Sequence, residues 1–256
     1  MGETDPTKLL AGKKALVTGG ARGIGKAVAL KLAENGAEVV INYLRNDEAA
    51  RQTQALAELT GGRAHLAKGD MGRPPALKKV LEEVKQKLGA LDILVHAAAL
   101  GAFKPITEIN VLHWNVSLDV NARALLLCAQ EALGLMEGRN ARIVGISSLG
   151  SHRYIPHYGA IGVSKAALET LIRYLAVELA PRGIRVNGVS GGLVETEALQ
   201  MHPLYHQQKE EAIRRTPAGR IGTPEDIAKV VLFLVSPQSD WIFGQTLIAD
   251  GGLDLV

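Results

Sequence analysis

The sequence predicts one α/β domain: a doubly wound parallel sheet of seven strands with helices on both faces. Three observations lead there. Short runs rich in Val and Ile alternate with stretches of helical periodicity along all 256 residues. The runs are close to continuously apolar, which suits central strands covered on both sides. A length of 256 with 47% hydrophobic side chains supplies one sizeable core without a second domain, and no repeat or low-complexity linker divides the chain.

The strand candidates in order are KALVTG at 14–19, AEVVIN at 37–42, RAHLA at 63–67, LDILVH at 91–96, ARIVGIS at 141–147, IRVNGVS at 184–190 and QTLIAD at 245–250. Helical patterns between them suit right-handed crossovers, so ligands belong at the strands' carboxyl ends. Before the fifth strand the run NARALLLCAQEAL reads as a helix. After it, Leu168, Leu171, Ile172, Leu175 and Leu179 form one apolar stripe at helical spacing. From about 191 to 223 the rhythm breaks, with His202, Pro203, Tyr205 and His206 among charges. A long insertion at that edge of the sheet predicts a lid or substrate loop, with a surface excursion as the plainer reading.

Composition excludes several classes of function. Twenty-nine basic against 26 acidic side chains leave a net charge of +3, too mild to imply nucleic acid. Cys128 is the single cysteine, so neither a disulfide framework nor a cysteine metal site is expected, as in a reducing compartment. The opening residues carry acids and a proline and no apolar leader, and no later run has membrane-spanning length. A cytoplasmic protein is expected. His202 and His206 have ligand-like spacing but no third partner, which favours a solvated helix face over a metal site.

The turn after the first strand, TGGARGIG from Thr18 to Gly25, opens the next helix. Glycines at 19, 23 and 25 permit a tight turn and close approach of backbone to a pyrophosphate, whose charge the helix N-terminus favours. A Rossmann-like dinucleotide site is the expectation. The second strand ends in Asn42-Tyr43-Leu44-Arg45, where an NAD site usually presents Asp or Glu to the ribose hydroxyls. An amide there, with Arg22 and Arg45 nearby, favours NADPH, because guanidinium groups pair with a 2′-phosphate. Arg45 as an ordinary strand-end arginine is the competing reading.

The spacing TGxxxGxG resembles the short-chain dehydrogenase/reductase family, and further marks follow in order over essentially the whole chain: GDM at 69–71, Asn121 in DVNAR, Ser147-Ser148, Lys165 in VSKAAL and DGG at 250–252. The resemblance implies adenine contact by Asp70 and cofactor contacts by Ala21, Ile24, Met71, Ala97, Ala98, Val194 and Thr196. It also implies that Lys165 holds the nicotinamide ribose, that Asn121 supports the lysine, and that Ser148 is the catalytic serine.

The catalytic tyrosine of typical members lies four residues before the lysine; here that position is Ile161, and Tyr158 precedes Lys165 by seven. This spacing, together with ISSLGSHRY, VSKAALE, RYLAVEL, VSGG and TPAGR, resembles the NADPH-dependent enoyl-acyl-carrier-protein reductases of type III. The resemblance implies reduction of trans-2-enoyl thioesters in fatty acid biosynthesis, with Tyr158 as hydrogen-bond donor. Tyr154 and Leu149 become substrate-pocket candidates, Tyr154 also a second candidate donor. An acidic acyl carrier protein would suit Lys209, Arg214, Arg215 and Arg220, which otherwise read as solvated charges. A homotetramer through the helices flanking the fifth strand is also implied. Two departures stand out: His96-Ala97-Ala98-Ala99 replaces the family's NNAG, with His96 expected to be structural, and Gly191-Gly192 replaces its PG, expected to loosen the lid. The competing functions are a 3-oxoacyl, steroid or polyol dehydrogenase and a non-catalytic NADP-binding sensor.

Overall fold

The computed structural model describes residues 8–256; the acidic, proline-bearing opening stretch lies outside them. Seven strands form one sheet: β1 (Lys14–Thr18), β2 (Glu38–Tyr43), β3 (Arg63–Lys68), β4 (Ile93–His96), β5 (Arg142–Ser148), β6 (Arg185–Gly191) and β7 (Thr246–Ala249). Their order is β3-β2-β1-β4-β5-β6-β7, and every pairing is parallel. The order reverses between β1 and β4, and sheets of this kind bind ligands outside the carboxyl ends at such a switch point.

The helices are α1 (Gly23–Glu34), α2 (Asp47–Leu59), α3 (Pro74–Leu88), α4 (Val111–Leu118), α5 (Ala124–Met136), α6 (Gly159–Leu179), α7 (Glu197–Gln200), α8 (Tyr205–Arg215) and α9 (Pro224–Val235). Successive strand residues serve opposite faces. Leu16, Val40, Leu94 and Ile143 join a core with α3, α5 and α6. Their neighbours Val17, Val39, Val95 and Val144 join a second core with α1 and α9. Each fully buried Leu or Val contributes roughly 1.5–3 kcal/mol, so the near-continuous apolar runs stabilise both layers.

Capping marks the helix starts where the sequence offers it. Asn46 accepts from the Ala49 amide at 3.0 Å to open α2, and Thr223 with Asp226 forms a reciprocal box at α9. α4 and α5 are joined by a π-helical stretch, Asp119–Arg123, whose wider turn carries Asn121 inward. The stripe expected on α6 is present: Leu168, Ile172, Leu175 and Leu179 are buried. β4 starts two residues later than its apolar run suggests, because Asp92 turns aside to accept the Lys14 amide at 2.9 Å and pair with Arg139. No helix among the described residues is long and apolar enough to cross a membrane.

Candidate active site

The glycine loop is shaped by close approaches. A Cβ on Gly25 would lie 2.2 Å from the Gly19 carbonyl oxygen, and one on Gly19, whose φ is +64°, would lie 2.8 Å from Ala98 Cα. Only glycine fits either place. α1 has no side-chain cap from Arg22 and no acid in its first turn, so its positive end is free for an anion. These features fit the pyrophosphate of a nicotinamide dinucleotide.

Around this cradle the expected cofactor residues divide. Arg22 and Arg45 are exposed, with Arg22 3.8 Å from Glu197. Asn42 is 1% exposed and faces inward. Its Oδ1 accepts from the Gly19 amide at 3.3 Å, and its Nδ2 donates to the Ala67 and Gly69 carbonyls at 3.1 Å. This corrects the ribose-reading role expected of Asn42: its amide clamps β1, β2 and β3 together beneath the glycine loop. Asp70 accepts from the Gly72 amide at 2.9 Å and, with buried Met71, follows β3. Ala21 and Val194 are buried, Ile24 lines the adjoining cavity, and Thr196 caps α7 close to Gly23.

The His96–Ala99 stretch compensates for its missing amides. His96 Nε2 donates to the Val120 carbonyl at 3.0 Å, which leaves Nδ1 to accept from the Thr18 hydroxyl, also at 3.0 Å. Thr18 in turn accepts from the Ala98 amide at 3.2 Å. Burial pushes the imidazole down to about 4, so a neutral histidine ties β1, β4 and the π-helical stretch together while Ala97 and Ala98 line the turn.

The catalytic candidates converge on the N-terminus of α6. Tyr158 is the residue immediately before the helix, and it lines one cavity with Ser148 at the end of β5. Burial raises the phenol's pKa and the Ser148 contact opposes the rise. Lys165 is 4% exposed, and Nζ donates to the Ile146 carbonyl at 2.7 Å. Burial lowers its pKa to about 8, with Glu169 one turn on acting to raise it; Glu169 also accepts from Ser147 at 2.5 Å. Asn121 Nδ2 donates to Ser164, next to Lys165, at 2.8 Å and to the Leu100 carbonyl at 3.0 Å, while its Oδ1 accepts from the Leu100 amide at 2.8 Å.

Ile161 is 7% exposed and packs against the loop after β4, so near that a Cβ on Gly101 would lie 2.2 Å from its Cγ1. Tyr158 instead faces a cavity of about 450 Å³, lined also by Ser148, Leu149, Leu193 and Leu204. Tyr154 stands at the rim and is 88% exposed, so Tyr158 is the phenol turned inward.

Sequence reasoning missed Phe103. Its ring stacks on Tyr158 at 6.1 Å and meets His202 edge-on at 4.8 Å. A lone Phe in the irregular stretch after β4 carries no periodic signal, so only folding brings it to the tyrosine. His202 corrects its expectation: it precedes α8, is buried, donates from Nε2 to the Pro156 carbonyl at 3.0 Å and accepts from the Leu204 amide at 3.0 Å. It fastens the 191–223 segment to the loop bearing Tyr158, while His206 is exposed. Among the described residues no group of three metal-ligating side chains occurs.

Gly192 also differs from expectation. A Cβ there would lie 2.8 Å from Asp250 Cβ, so glycine serves close packing against the end of β7 and not looseness of the following segment. The basic residues of that segment are engaged internally: Lys209 with Glu195 at 2.6 Å, Arg214 with Glu211, and Arg220 with Asp226 at 2.6 Å.

Comparison with known proteins gives the family of the chain. A family model described as Enoyl-(Acyl carrier protein) reductase matches residues 19–254. The chain belongs to the short-chain dehydrogenase/reductase family. It is 40% identical to 1-cyclohexenylcarbonyl-CoA reductase of Streptomyces collinus, over 94% of this chain and 86% of that protein. It is 36% identical to a hydroxynaphthalene reductase-like protein of Metarhizium majus, over 95% of each. A short-chain dehydrogenase of Burkholderia cenocepacia, solved in complex with NADP, superposes with a TM-score of 0.90 at 34% identity, covering 96% of this chain and 99% of that one. As a short-chain dehydrogenase/reductase the chain is an oxidoreductase, and the glycine loop and the Ser148–Tyr158–Lys165 cluster are the places where that chemistry is to be sought.

Proposed function

We propose that this short-chain dehydrogenase/reductase is an NADPH-dependent reductase of trans-2-enoyl thioesters, closing a cycle of fatty acid elongation on acyl carrier protein. The observation that carries the reading is the place of its tyrosine. The phenol enters from the residue before α6, one turn ahead of buried Ile161. Reduction of an enoyl thioester puts hydride on the β-carbon while charge grows on the oxygen of the carbonyl carbon two positions away, and a proton then reaches the α-carbon to complete the saturated thioester. A ketone reductase places hydride on the carbonyl carbon itself. A donor moved by a turn suits the more distant oxygen.

NADPH, when bound, supplies the hydride. Tyr158 donates a hydrogen bond to the developing enolate oxygen, with Ser148 on the wall of the same cavity. Lys165, held by the Ile146 carbonyl, binds ribose hydroxyls and keeps the local field positive. Asn121 fixes the helix turn beside it through Ser164. Arg22 and Arg45 are the exposed cations available to the 2′-phosphate, since Asn42 is occupied with the loop. The 191–223 segment acts as a lid over the apolar cavity.

The relative named for a cyclohexenylcarbonyl thioester supports an enoyl substrate and brings coenzyme A forward as a carrier beside acyl carrier protein. NADPH consumption with trans-2-enoyl and 3-oxoacyl thioesters, run side by side, tests the reading. Turnover of the enoyl substrate alone supports it; turnover of the ketone alone replaces it with a second reading, a carbonyl reductase. The presence of Ser148 and Tyr158 on the wall of one cavity favours that second reading, because the same pair of hydroxyls can polarise a ketone. The reading includes a homotetramer formed through the outer faces of α5 and α6.

A further inference from the structure

Tyr158 sits in a slot whose walls come from distant parts of the chain. On one side stands Gly150, just after β5, where an added Cβ would lie 2.5 Å from Tyr158 Cδ1. Only glycine leaves the ring that room. On the other side the Phe103 ring stacks on the phenol at 6.1 Å and 27°. Phe103 belongs to the irregular stretch after β4, so no helix or strand fixes it. What backs it is His202 of the 191–223 segment, edge-on at 4.8 Å and 65°.

His202 also grips the chain that leads into the tyrosine. The Leu204 amide can only donate and the Pro156 carbonyl can only accept, so the imidazole is neutral and its Nε2 proton goes to Pro156, at 3.0 Å. Between Pro156 and Tyr158, His157 has a φ of +60°, a left-handed conformation that a residue with a side chain keeps only where its surroundings impose it. The His157 ring lies against that of His202, 6.1 Å away at 24°. Among the described residues no other hydrogen bond joins residues 196–216 to residues 149–158. The segment that carries His202 is meanwhile braced within itself. The Gly222 amide donates to the Leu193 carbonyl at 2.8 Å across its neck, and Glu195 accepts from Tyr205 at 2.7 Å and from Lys209 at 2.6 Å. One side chain of a braced segment therefore reaches both the ring that covers the phenol and the backbone that delivers it.

We propose that His202, acting through Phe103 and the Pro156 carbonyl, is a positioning residue for the Tyr158 phenol, so that the hydroxyl is aimed into the cavity only while the 191–223 segment is in place. This rests on the reading of Tyr158 as hydrogen-bond donor and applies to an enoyl or a carbonyl substrate alike. The leverage is large, because a misplacement of about 1 Å can cost a reacting group about 10²-fold in rate.

A double-mutant cycle tests it, using the full chain with NADPH and a trans-2-enoyl thioester of coenzyme A, or the 3-oxoacyl thioester if that is the one reduced. His202→Ala is expected to lower kcat about tenfold while KM for the thioester changes less than about threefold. His202→Gln, whose amide nitrogen can still donate to Pro156, should recover part of the loss, and Phe103→Leu should reproduce it. In a Tyr158→Phe background His202→Ala should add less than about twofold, since the hydroxyl it positions is gone. The full loss in that background, or a loss carried by KM alone, would mean that His202 merely walls the cavity, and would overturn the proposal. The phenol is also followed directly, by NMR of tyrosine labelled with carbon-13 at Cζ, the Tyr158 signal being the one absent from Tyr158→Phe. Burial raises the pKa of this phenol, so in His202→Ala its titration should move toward that of an exposed tyrosine; an unmoved titration would also overturn the proposal. If Tyr158→Phe keeps wild-type turnover, or neither thioester is reduced, the donor reading fails, and the NMR titration alone decides whether His202 holds the phenol.

Discussion

At the scale of single residues the proposed chemistry rests on Tyr158 and Lys165. Tyr158→Phe removes the hydroxyl from the cavity wall while keeping the ring on Phe103. A fall in kcat of about 10²–10³-fold is expected, with NADPH affinity near normal by fluorescence titration; turnover close to wild type would take Tyr158 out of the mechanism. Lys165, lowered to about 8 by burial, is protonated below that pH and neutral above it. Since the proposed mechanism uses the charged form, kcat/KM should hold on the acid side and fall through about pH 8. Glu169→Gln removes the charge that favours the ammonium, so the alkaline limb should move to lower pH in the same assay. The stability sign follows from the same shift. Between about 8 and the ordinary lysine value of 10.5 the folded lysine binds fewer protons than the unfolded one, so its destabilising contribution is full below about 8 and is relieved as pH rises through that window.

Among elements, the π-helical stretch between α4 and α5 has the largest consequence. It turns Asn121 fully inward, where one amide joins the Leu100 backbone to Ser164 on α6. Asn121→Ala strands buried donors and acceptors on two segments, and a loss of about 2–4 kcal/mol is expected in urea unfolding, with kcat reduced because the turn holding Lys165 loosens. Unchanged stability would contradict the clamp. The glycine loop gives a second prediction at this scale. Gly25→Ala sets a methyl 2.2 Å from the Gly19 carbonyl oxygen. The loop must shift, so NADPH binding measured by titration should weaken by at least tenfold; wild-type affinity would show that the cradle tolerates a Cβ.

For the whole molecule the apolar groups left outside matter. On the outer face of α6 Val163, Tyr174 and Val177 are 44, 66 and 76% exposed. A contiguous face of this kind suits an interface between copies. Val177→Glu should lower the mass measured by light scattering if α6 forms the tetramer interface, and an unaltered mass would place the contact elsewhere.

The sequence by itself determined the parallel sheet, because strands buried on both faces must be apolar along their length, and it determined the glycine loop, because each glycine answers a local steric demand. It also marked Tyr158, Ser148, Asn121 and Lys165 by order and spacing. Tertiary structure decided which partners they meet. Asn42 looks like a cofactor contact at the end of β2 until β1 and β3 close over it and take its amide. His202 looks solvated until Phe103 and Pro156 arrive from distant positions. Periodicity reports burial of a face, a local property of the chain; the partner of a polar side chain depends on contacts between residues far apart in sequence, which only the closed fold brings together.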